Sequence, residues 1–275
     1  IMDDAELLKE RFKSALTSAV KAISENFELE VKFGSDLSKN KNSLNLPEIV
    51  NLKKLQDFTN LRAYADSQAL KIKYNDEKIF IKNEPEGSMA KALYAIAEKI
   101  RYEKIGSDKL KGVKNNIIDS YERKFKNKKI EEIKTESDVP VTEAFELYLR
   151  SHFFKIKQNK ATKKTLNYWK ELFDKNLNPK LKQLDNYIED QNAYAQLVTE
   201  LIDNLEFEDS ESKEKQEEQK SNNENSSSSE KNDEETNLSQ KEEAAENSDL
   251  NISNDSLESI DEKEDENQIS AKEVP

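Results

Sequence analysis

The chain has 275 residues, a formal net charge of −13, four glycines and no cysteine. The lack of cysteine excludes disulfide frameworks, thiolate catalysis and cysteine-ligated zinc. No apolar run is long enough to span a membrane, and residues 1–12 lack the apolar region of a signal peptide, so we expect a cytoplasmic protein.

The charge is distributed unevenly along the chain. Residues 206–275 hold 24 Asp and Glu residues against 7 lysines, whereas residues 1–205 hold 33 acidic and 37 basic residues. An acidic segment with a single aromatic residue, Phe207, cannot bury enough apolar surface to offset its conformational entropy. We therefore predict a folded domain over residues 1–205 and a disordered acidic tail or linker over residues 206–275.

Apolar periodicity in residues 1–205 predicts a mainly α, multi-helix domain with a small β element near its N-terminus. The β element is predicted because Leu29, Val31 and Phe33 alternate with charged residues, and Gly34 ends the stretch. The predicted elements of the N-terminal half are, in order, a helix at Ala5–Ser24, a strand at Glu28–Phe33, a polar loop at Ser35–Asn45, a helix at Pro47–Tyr74, a short second strand at Lys78–Ile81 and a turn at Pro85–Gly87.

The second half of the domain is predicted to be helical throughout. Its predicted helices are Met89–Ile105 with Gly106 as its stop, Leu110–Lys126, a helix that begins at Pro140 with Ser137 or Asp138 as its cap, Leu166–Leu177, and a long last helix at Pro179–Leu205. In the last helix, apolar residues recur at spacings of three and four, and only Gln191 interrupts the stripe. A single helix of that length would run about 40 Å along the folded domain.

The residue inventory excludes most catalytic and metal-binding sites within this chain. His152 is the only histidine, and a position on a helix surface or at a cap explains it better than catalysis does. The stretch Gly106–Lys114 superficially resembles a phosphate-binding loop, but five residues separate its glycines where the motif has four. We therefore predict no catalytic, cofactor-binding or metal-binding residue here.

The largest charged feature of the predicted domain is the basic stretch Lys99–Lys134. It holds 12 Lys and Arg residues against 6 Asp and Glu residues, with aromatic residues among them. Three interpretations stay open: an RNA-binding face, a surface on which the acidic tail folds back, and a solvated helix surface, which is the usual case. The acidic pair Glu189 and Asp190 is predicted to face outward, where solvation is again the usual explanation and a partner contact is the alternative.

Short motifs follow one another along the chain in a fixed order: Glu30–Gly34, Leu46 with Pro47, Ala65–Ser67, Ala69 with Leu70, Glu103, Ile105 with Gly106, Gly112 with Val113, Asn115 with Asn116, Leu184 with Asp185, Ile188–Gln191 and Ala193–Ala195. This ordered set resembles the N-terminal region of the CobT-type subunit of the aerobic, ATP-dependent cobaltochelatase. The resemblance covers about residues 15–207, and the acidic tail is similar to the family's linker by composition.

The resemblance implies a non-catalytic subunit of a complex that inserts Co²⁺ into hydrogenobyrinic acid a,c-diamide in cobalamin biosynthesis. In that family an AAA+ subunit hydrolyses ATP, the CobT-type subunit couples to it, and a large third subunit holds the corrin ring. We therefore expect a hetero-oligomer, with no membrane or nucleic acid as a partner, and with ATP and Co²⁺ bound by the whole complex rather than by this chain. Candidate partner contacts are Glu103, Glu189, Asp190 and Gln191.

The sequence departs from the family pattern after its acidic segment. There the family continues into a von Willebrand factor A-type domain with an Asp-x-Ser-x-Ser metal site, and no such motif occurs in this sequence. We expect a fragment or the product of a split gene, and no residue of that domain is carried over. The alternative function is an RNA-associated or adaptor protein with a basic helical face and a competing acidic tail.

Overall fold

The computed structural model describes residues 4–34, 42–49, 55–126 and 130–205, and the acidic tail predicted at 206–275 lies outside them. The described chain is mainly helical, as predicted. Its α-helices are α1 (Asp4–Ser24), α2 (Leu55–Tyr74), α3 (Glu77–Asn83), α4 (Ser88–Lys109), α5 (Lys111–Lys126), α6 (Val141–Phe154), α7 (Lys160–Asn176), α8 (Leu181–Tyr187) and α9 (Gln191–Asp203). Its strands are β1 (Glu30–Phe33) and β2 (Ser43–Leu46), and short 3₁₀ helices lie at Ile130–Glu132, Glu136–Asp138 and Asn178–Lys180.

The small β element near the N-terminus is a parallel pair of strands. β1 pairs with β2 in a register that runs from Glu30 opposite Ser43 to Phe33 opposite Leu46. The first strand therefore forms where it is predicted. The second does not, because β2 includes the last residues of the predicted loop Ser35–Asn45.

The strand predicted at Lys78–Ile81 is wrong, because these residues lie within α3. Asp76 is the N-cap of this helix, and its carboxylate accepts hydrogen bonds from the backbone N–H groups of Lys78 at 2.8 Å and Ile79 at 3.3 Å. An aspartate in this position satisfies donors that the first helical turn leaves free, and so favours a helix over an extended strand. A run of three apolar residues, Ile79–Ile81, does not by itself distinguish a strand from a short helix.

Helix α4 is the central element of the domain, because α2, α5, α6 and α9 all pack against it. Its apolar residues Leu93 and Ala97 are fully buried. Three charged side chains of the same helix, Glu98, Arg101 and Glu103, are also buried. Burying a charge is costly unless the charge is paired, so the partners of these three residues hold the surrounding helices in place.

The C-terminal halves of α2 and α4 pack against each other. Leu70 lies against Gly106, the carbonyl of Tyr74 accepts from Nη2 of Arg101, and the Lys109 ammonium lies over the ring of Tyr74. The prediction that Gly106 stops a helix is wrong, since α4 continues through it to Lys109. A Cβ atom at residue 106 would lie 2.9 Å from Cγ of Leu70, so the glycine permits the close approach of two helices.

The long helix predicted at Pro179–Leu205 is wrong, because α8 and α9 are separate helices joined by a turn. Asp190 caps α9: its carboxylate accepts from the Ala193 N–H at 3.0 Å, and its own N–H donates to the carbonyl of Tyr187 at 2.9 Å. The break falls beside Gln191, the residue that interrupts the apolar stripe. The interruption therefore marks a helix boundary, which the capping aspartate enforces.

Helices α6 and α7 begin at caps other than those predicted. Pro140 is itself the N-cap position of α6, whereas Asp138 closes a 3₁₀ turn by accepting from the Thr135 N–H at 2.7 Å. Helix α7 begins well before the predicted start, because Asn159 and Thr162 exchange hydrogen bonds in a capping box.

Candidate docking cleft

A cleft of about 570 Å³ opens where the C-terminal ends of α2 and α4 meet the turn between α8 and α9. Its lining combines basic, acidic, aromatic and amide side chains. Lys73 and Tyr74 come from α2, Lys109 comes from α4, and Glu189 and Asp190 come from the turn. The packing of α2 against α4 therefore creates the cleft, because it brings Tyr74 and Lys109 to the same place.

Two lysines flank the ring of Tyr74 at the rim of the cleft. The Nζ atoms of Lys73 and Lys109 lie 5.2 and 5.0 Å from the ring centroid, within the range of cation–π attraction. Lys73 Nζ also lies 2.6 Å from Oε1 of Glu25, and this hydrogen bond raises the pKa of Lys73. Lys109 Nζ lies 3.6 Å from Oε1 of Glu189, and the two side chains are 52% and 73% exposed. The Lys109–Glu189 pair is therefore open to a binding partner.

Arg101 forms the floor of the cleft and joins three elements. Its Nε donates to Oε2 of Glu98 at 3.0 Å, and its Nη2 donates to the carbonyl oxygen of Tyr74 at 2.6 Å. Its Nη1 lies 3.5 Å from the carbonyl oxygen of Ile188 in the turn between α8 and α9. Arg101 is only 1% exposed, so opening this pair would leave an unpaired charge in the interior. The floor is therefore rigid.

Gln191 fixes the start of α9 against the rest of the cleft. Its Oε1 accepts from the backbone N–H of Asp76 at 2.7 Å. Its Nε2 donates to Oδ1 of Asn75 at 3.0 Å and to Oε2 of Glu98 at 3.2 Å. Both polar atoms of this buried amide are therefore satisfied, as burial requires. The amide joins α9 to α4 and to the segment between α2 and α3.

Only one oxygen of the Glu98 carboxylate, Oε2, accepts hydrogen bonds from the described residues. Burial raises the pKa of Glu98, and the ion pair with Arg101 and the hydrogen bond from Gln191 act against that shift. Both partners reach Oε2, while Oε1 is buried without a hydrogen-bond partner among the described residues. A buried carboxylate with one oxygen unpaired is less stable as an anion, so the protonated form of Glu98 is favoured, in agreement with its raised pKa.

A second buried charge cluster joins α4 to α6. Arg150 donates from Nη1 to Oε2 of Glu103 at 2.7 Å and from Nε to Oε1 of Glu146 at 2.9 Å. Ser67 donates to the other oxygen of Glu103 at 2.5 Å, and the guanidinium carbon lies 3.3 Å from the ring centroid of Tyr121. Burial acts to lower the pKa of Arg150, but the carboxylates raise it overall. The cluster binds helices together and offers no charge to the surface.

The family model of the cobalamin biosynthesis protein CobT matches residues 7–274 of this sequence. The chain belongs to the CobT family. Proteins of this family form part of cobaltochelatase, the metal-inserting complex of cobalamin biosynthesis. No solved structure matches the chain.

The cleft of this CobT-family chain brings together three of the four residues predicted as partner contacts. Glu189 and Asp190 are exposed at its rim, whereas Gln191 is buried in its wall. Glu103 lies outside the cleft, and at 1% exposure its carboxylate is bound to Arg150. Glu103 and Gln191 therefore hold helices together, and contact with a partner stays a prediction for Glu189 and Asp190.

Sequence reasoning missed Lys73, Tyr74 and Lys109 as cleft residues of the CobT-family chain. A weak signal exists, because both lysines lie in the last turn of a helix, where cations are favoured. Their convergence on one ring depends on the tertiary packing of α2 against α4. No spacing along the sequence encodes that arrangement.

Several charges of the basic stretch Lys99–Lys134 are neutralised within the domain. Arg101 pairs with Glu98, Lys104 Nζ lies 2.5 Å from Oδ1 of Asp108, and Lys124 Nζ lies 3.6 Å from a carboxylate oxygen of α6. The stretch is therefore not a continuous positive face. This arrangement favours a structural and solvated role over the alternative of RNA binding.

His152 lies on the surface of α6, and its Nε2 is 2.9 Å from Oδ1 of Asp185. This position agrees with the prediction of a helix-surface residue. Within the described ranges, no group of three or more His, Asp or Glu side chains could hold a metal ion. In that same part of the CobT-family chain, no helix is both long and apolar enough to cross a membrane.

Proposed function

We propose that this chain is a non-catalytic coupling subunit of an ATP-dependent cobaltochelatase that inserts Co²⁺ into hydrogenobyrinic acid a,c-diamide. The family match over residues 7–274 is the observation that carries the proposal. In the complex, an AAA+ partner hydrolyses ATP and a large partner holds the corrin ring. The chain joins them in a hetero-oligomer, and the overall ligase reaction forms metal–nitrogen bonds.

The docking surface in this proposal is the cleft. Its rim offers both signs of charge around an aromatic ring, and tyrosine is enriched at protein interfaces. Its floor and wall are held by the buried bonds of Arg101 and Gln191. A surface that is already ordered loses little conformational entropy when a partner binds. These features support a protein partner with complementary charges.

The test is light scattering of the full chain mixed with the AAA+ chelatase subunit, with and without ATP. We expect a discrete larger complex. Lys109→Glu places a second carboxylate beside Glu189, and we expect it to weaken the complex about tenfold, since losing one hydrogen-bonded charge at an interface removes more than 1.4 kcal/mol. Lys114→Glu, on the exposed surface of α5, is the matched control and should leave binding unchanged.

A charge swap separates docking from folding. The double variant K109E/E189K restores the ion pair with its signs reversed. A partner that contacts these charges binds neither the single nor the double variant, whereas a purely structural pair predicts recovery in the double variant. If the wild-type chain and the AAA+ subunit scatter as two separate species with unchanged masses, docking through this domain is refuted. Normal ATP-driven cobalt insertion by a complex lacking residues 1–205 would contradict the coupling role itself.

A further inference from the structure

A second basic region, which we call the α7 lysine face, lies outside the cleft. Residues 155–182 hold nine lysines and no arginine, against two acidic residues, Glu171 and Asp174. The lysines of this face are Lys155, Lys157, Lys160, Lys163, Lys164, Lys170, Lys175, Lys180 and Lys182. The net charge of this region is +7 over 28 residues, against +6 over the 36 residues of the basic stretch Lys99–Lys134, and the chemistry of the cleft does not involve these lysines.

The lysines that lie within α7 share one side of the helix. Lys160, Lys163 and Lys170 follow at spacings of three and seven, which place them on the same side of a helix with 3.6 residues per turn. All three are exposed, whereas Ala161 and Thr165 on the opposite side are buried. The packing of α7 against the domain therefore orders the lysines into a stripe.

The charges of the α7 lysine face are not neutralised locally. Within the described residues, none of its nine lysines forms an ion pair, in contrast to Lys104 and Lys109 of the basic stretch. Lys160 and Lys164 lie one helical turn apart, where like charges repel. A multivalent anion would relieve this repulsion along the whole stripe.

The surroundings of the face favour carboxylates over nucleic acid. Single-stranded nucleic acid is held by exposed aromatic rings on which bases stack, together with arginine. The two aromatic residues at the centre of α7 are bonded into the domain instead: Tyr168 donates from its hydroxyl to the carbonyl of Lys134 at 2.9 Å, and Trp169 donates from Nε1 to the carbonyl of Val139 at 3.1 Å. The face thus offers ammonium groups without a stacking platform.

We propose that the α7 lysine face binds the acidic segment 206–275 of this same chain. The segment carries 24 carboxylates against 7 lysines, and the chain enters it directly after Leu205. Twenty extended residues span about 66 Å, which is more than the width of a small domain, so the segment is long enough to reach α7. Covalent connection makes the encounter intramolecular and favours this occupant over a free acidic protein. The proposal does not rest on the cobaltochelatase assignment.

Zero-length carbodiimide cross-linking of the full chain, followed by peptide mass spectrometry, tests this contact. The reagent joins a lysine amine to a carboxylate only when the two touch. At about 50 mM salt we expect cross-links from Lys160, Lys163 and Lys170 to residues 206–275. We expect them to fall about tenfold near 1 M salt, where the screening length shrinks to about 3 Å. Lys78 and Lys82, exposed on α3 without an ion pair in the described chain, are the matched controls and should cross-link much less.

Variants and mixing experiments determine whether the α7 lysine face binds the acidic segment of the same chain, a second chain or RNA. K163E/K170E should remove the cross-links from the remaining α7 lysines, while K78E/K82E should leave them unchanged. Equal cross-linking of α3 and α7 would overturn the proposal. So would cross-links that form only between isotopically labelled and unlabelled copies, because the occupant would then be a second chain. Binding of a poly(U) 20-mer to the full chain that is lost in K163E/K170E would also overturn it, in favour of RNA.

Discussion

Replacing Gly106 by alanine tests the close packing of α2 and α4. Alanine favours the interior of a helix over glycine by about 1 kcal/mol, so helix propensity alone predicts a more stable protein. The new Cβ would however lie within 3.0 Å of three side-chain atoms of Leu70, one of them Cγ. Leu70 is completely buried and cannot rotate away, and overpacking of this kind costs about 1–3 kcal/mol. Because the gain in helix propensity offsets part of this cost, we expect the free energy of unfolding to fall by up to about 2 kcal/mol, measured by urea denaturation with an unchanged m-value.

Gly112→Ala is the matched control, because a Cβ at residue 112 meets nothing within 4 Å. This exposed position near the start of α5 should gain up to about 1 kcal/mol from the same substitution. Adding Leu70→Ala to Gly106→Ala removes the colliding atoms, so the two changes should show a favourable coupling energy in a double-mutant cycle. An unfolding free energy of Gly106→Ala equal to or above that of the wild type would refute the packing argument.

Three further outcomes follow from the buried polar groups. Arg150→Met leaves the carboxylate of Glu103 unpaired in the interior and should lower the free energy of unfolding by about 3–5 kcal/mol. The double variant R150M/E103Q should recover part of this loss. A loss below about 1 kcal/mol in Arg150→Met would contradict the pairing. Gln191→Leu removes the acceptor of the Asp76 N–H, so hydrogen exchange at that amide should accelerate, whereas unchanged protection would show that the bond does not form in solution. Burial, and then the nearby Asp174, raise the pKa of Tyr148 to about 12, so the folded state holds this proton more tightly than the unfolded state. Stability should therefore fall as pH rises from about 10 to 12. Tyr148→Phe should reduce that fall, and a titration with its midpoint near 10 would argue against the shift.

Most of the helices could be predicted from the sequence because their buried faces are regular. In α1 the residues Leu16, Val20 and Ile23 recur at helical spacing, and all three are buried. The errors arise where one side chain outweighs a weak pattern. Asp76 caps a helix where a short apolar run indicated a strand, and Asp190 caps another inside an apolar stripe that only Gln191 interrupts.

The candidate cleft could be predicted only in part. Glu189 and Asp190 were found because they belong to the motif that resembles the CobT family. Lys73 and Tyr74 belong to a different helix from Lys109, and the three meet only because α2 packs closely against α4. Close packing depends on which small residues allow the approach, and the role of Gly106 in that approach was mistaken for that of a helix stop.

The C-terminal ends of α2 and α4 also shape the electric field at the cleft, because Tyr74 and Lys109 both line it. Each end carries the negative pole of its helix macrodipole, equivalent to about half an elementary charge. Arg101 donates to the last carbonyl of α2, and Lys73 and Lys109 lie in the last turns of the two helices. The two helix ends together offset about one of these three positive charges, and Glu25, Glu98 and Glu189 pair with the side chains themselves. A partner approaching the cleft meets a weak net field, so its association rate should depend little on ionic strength.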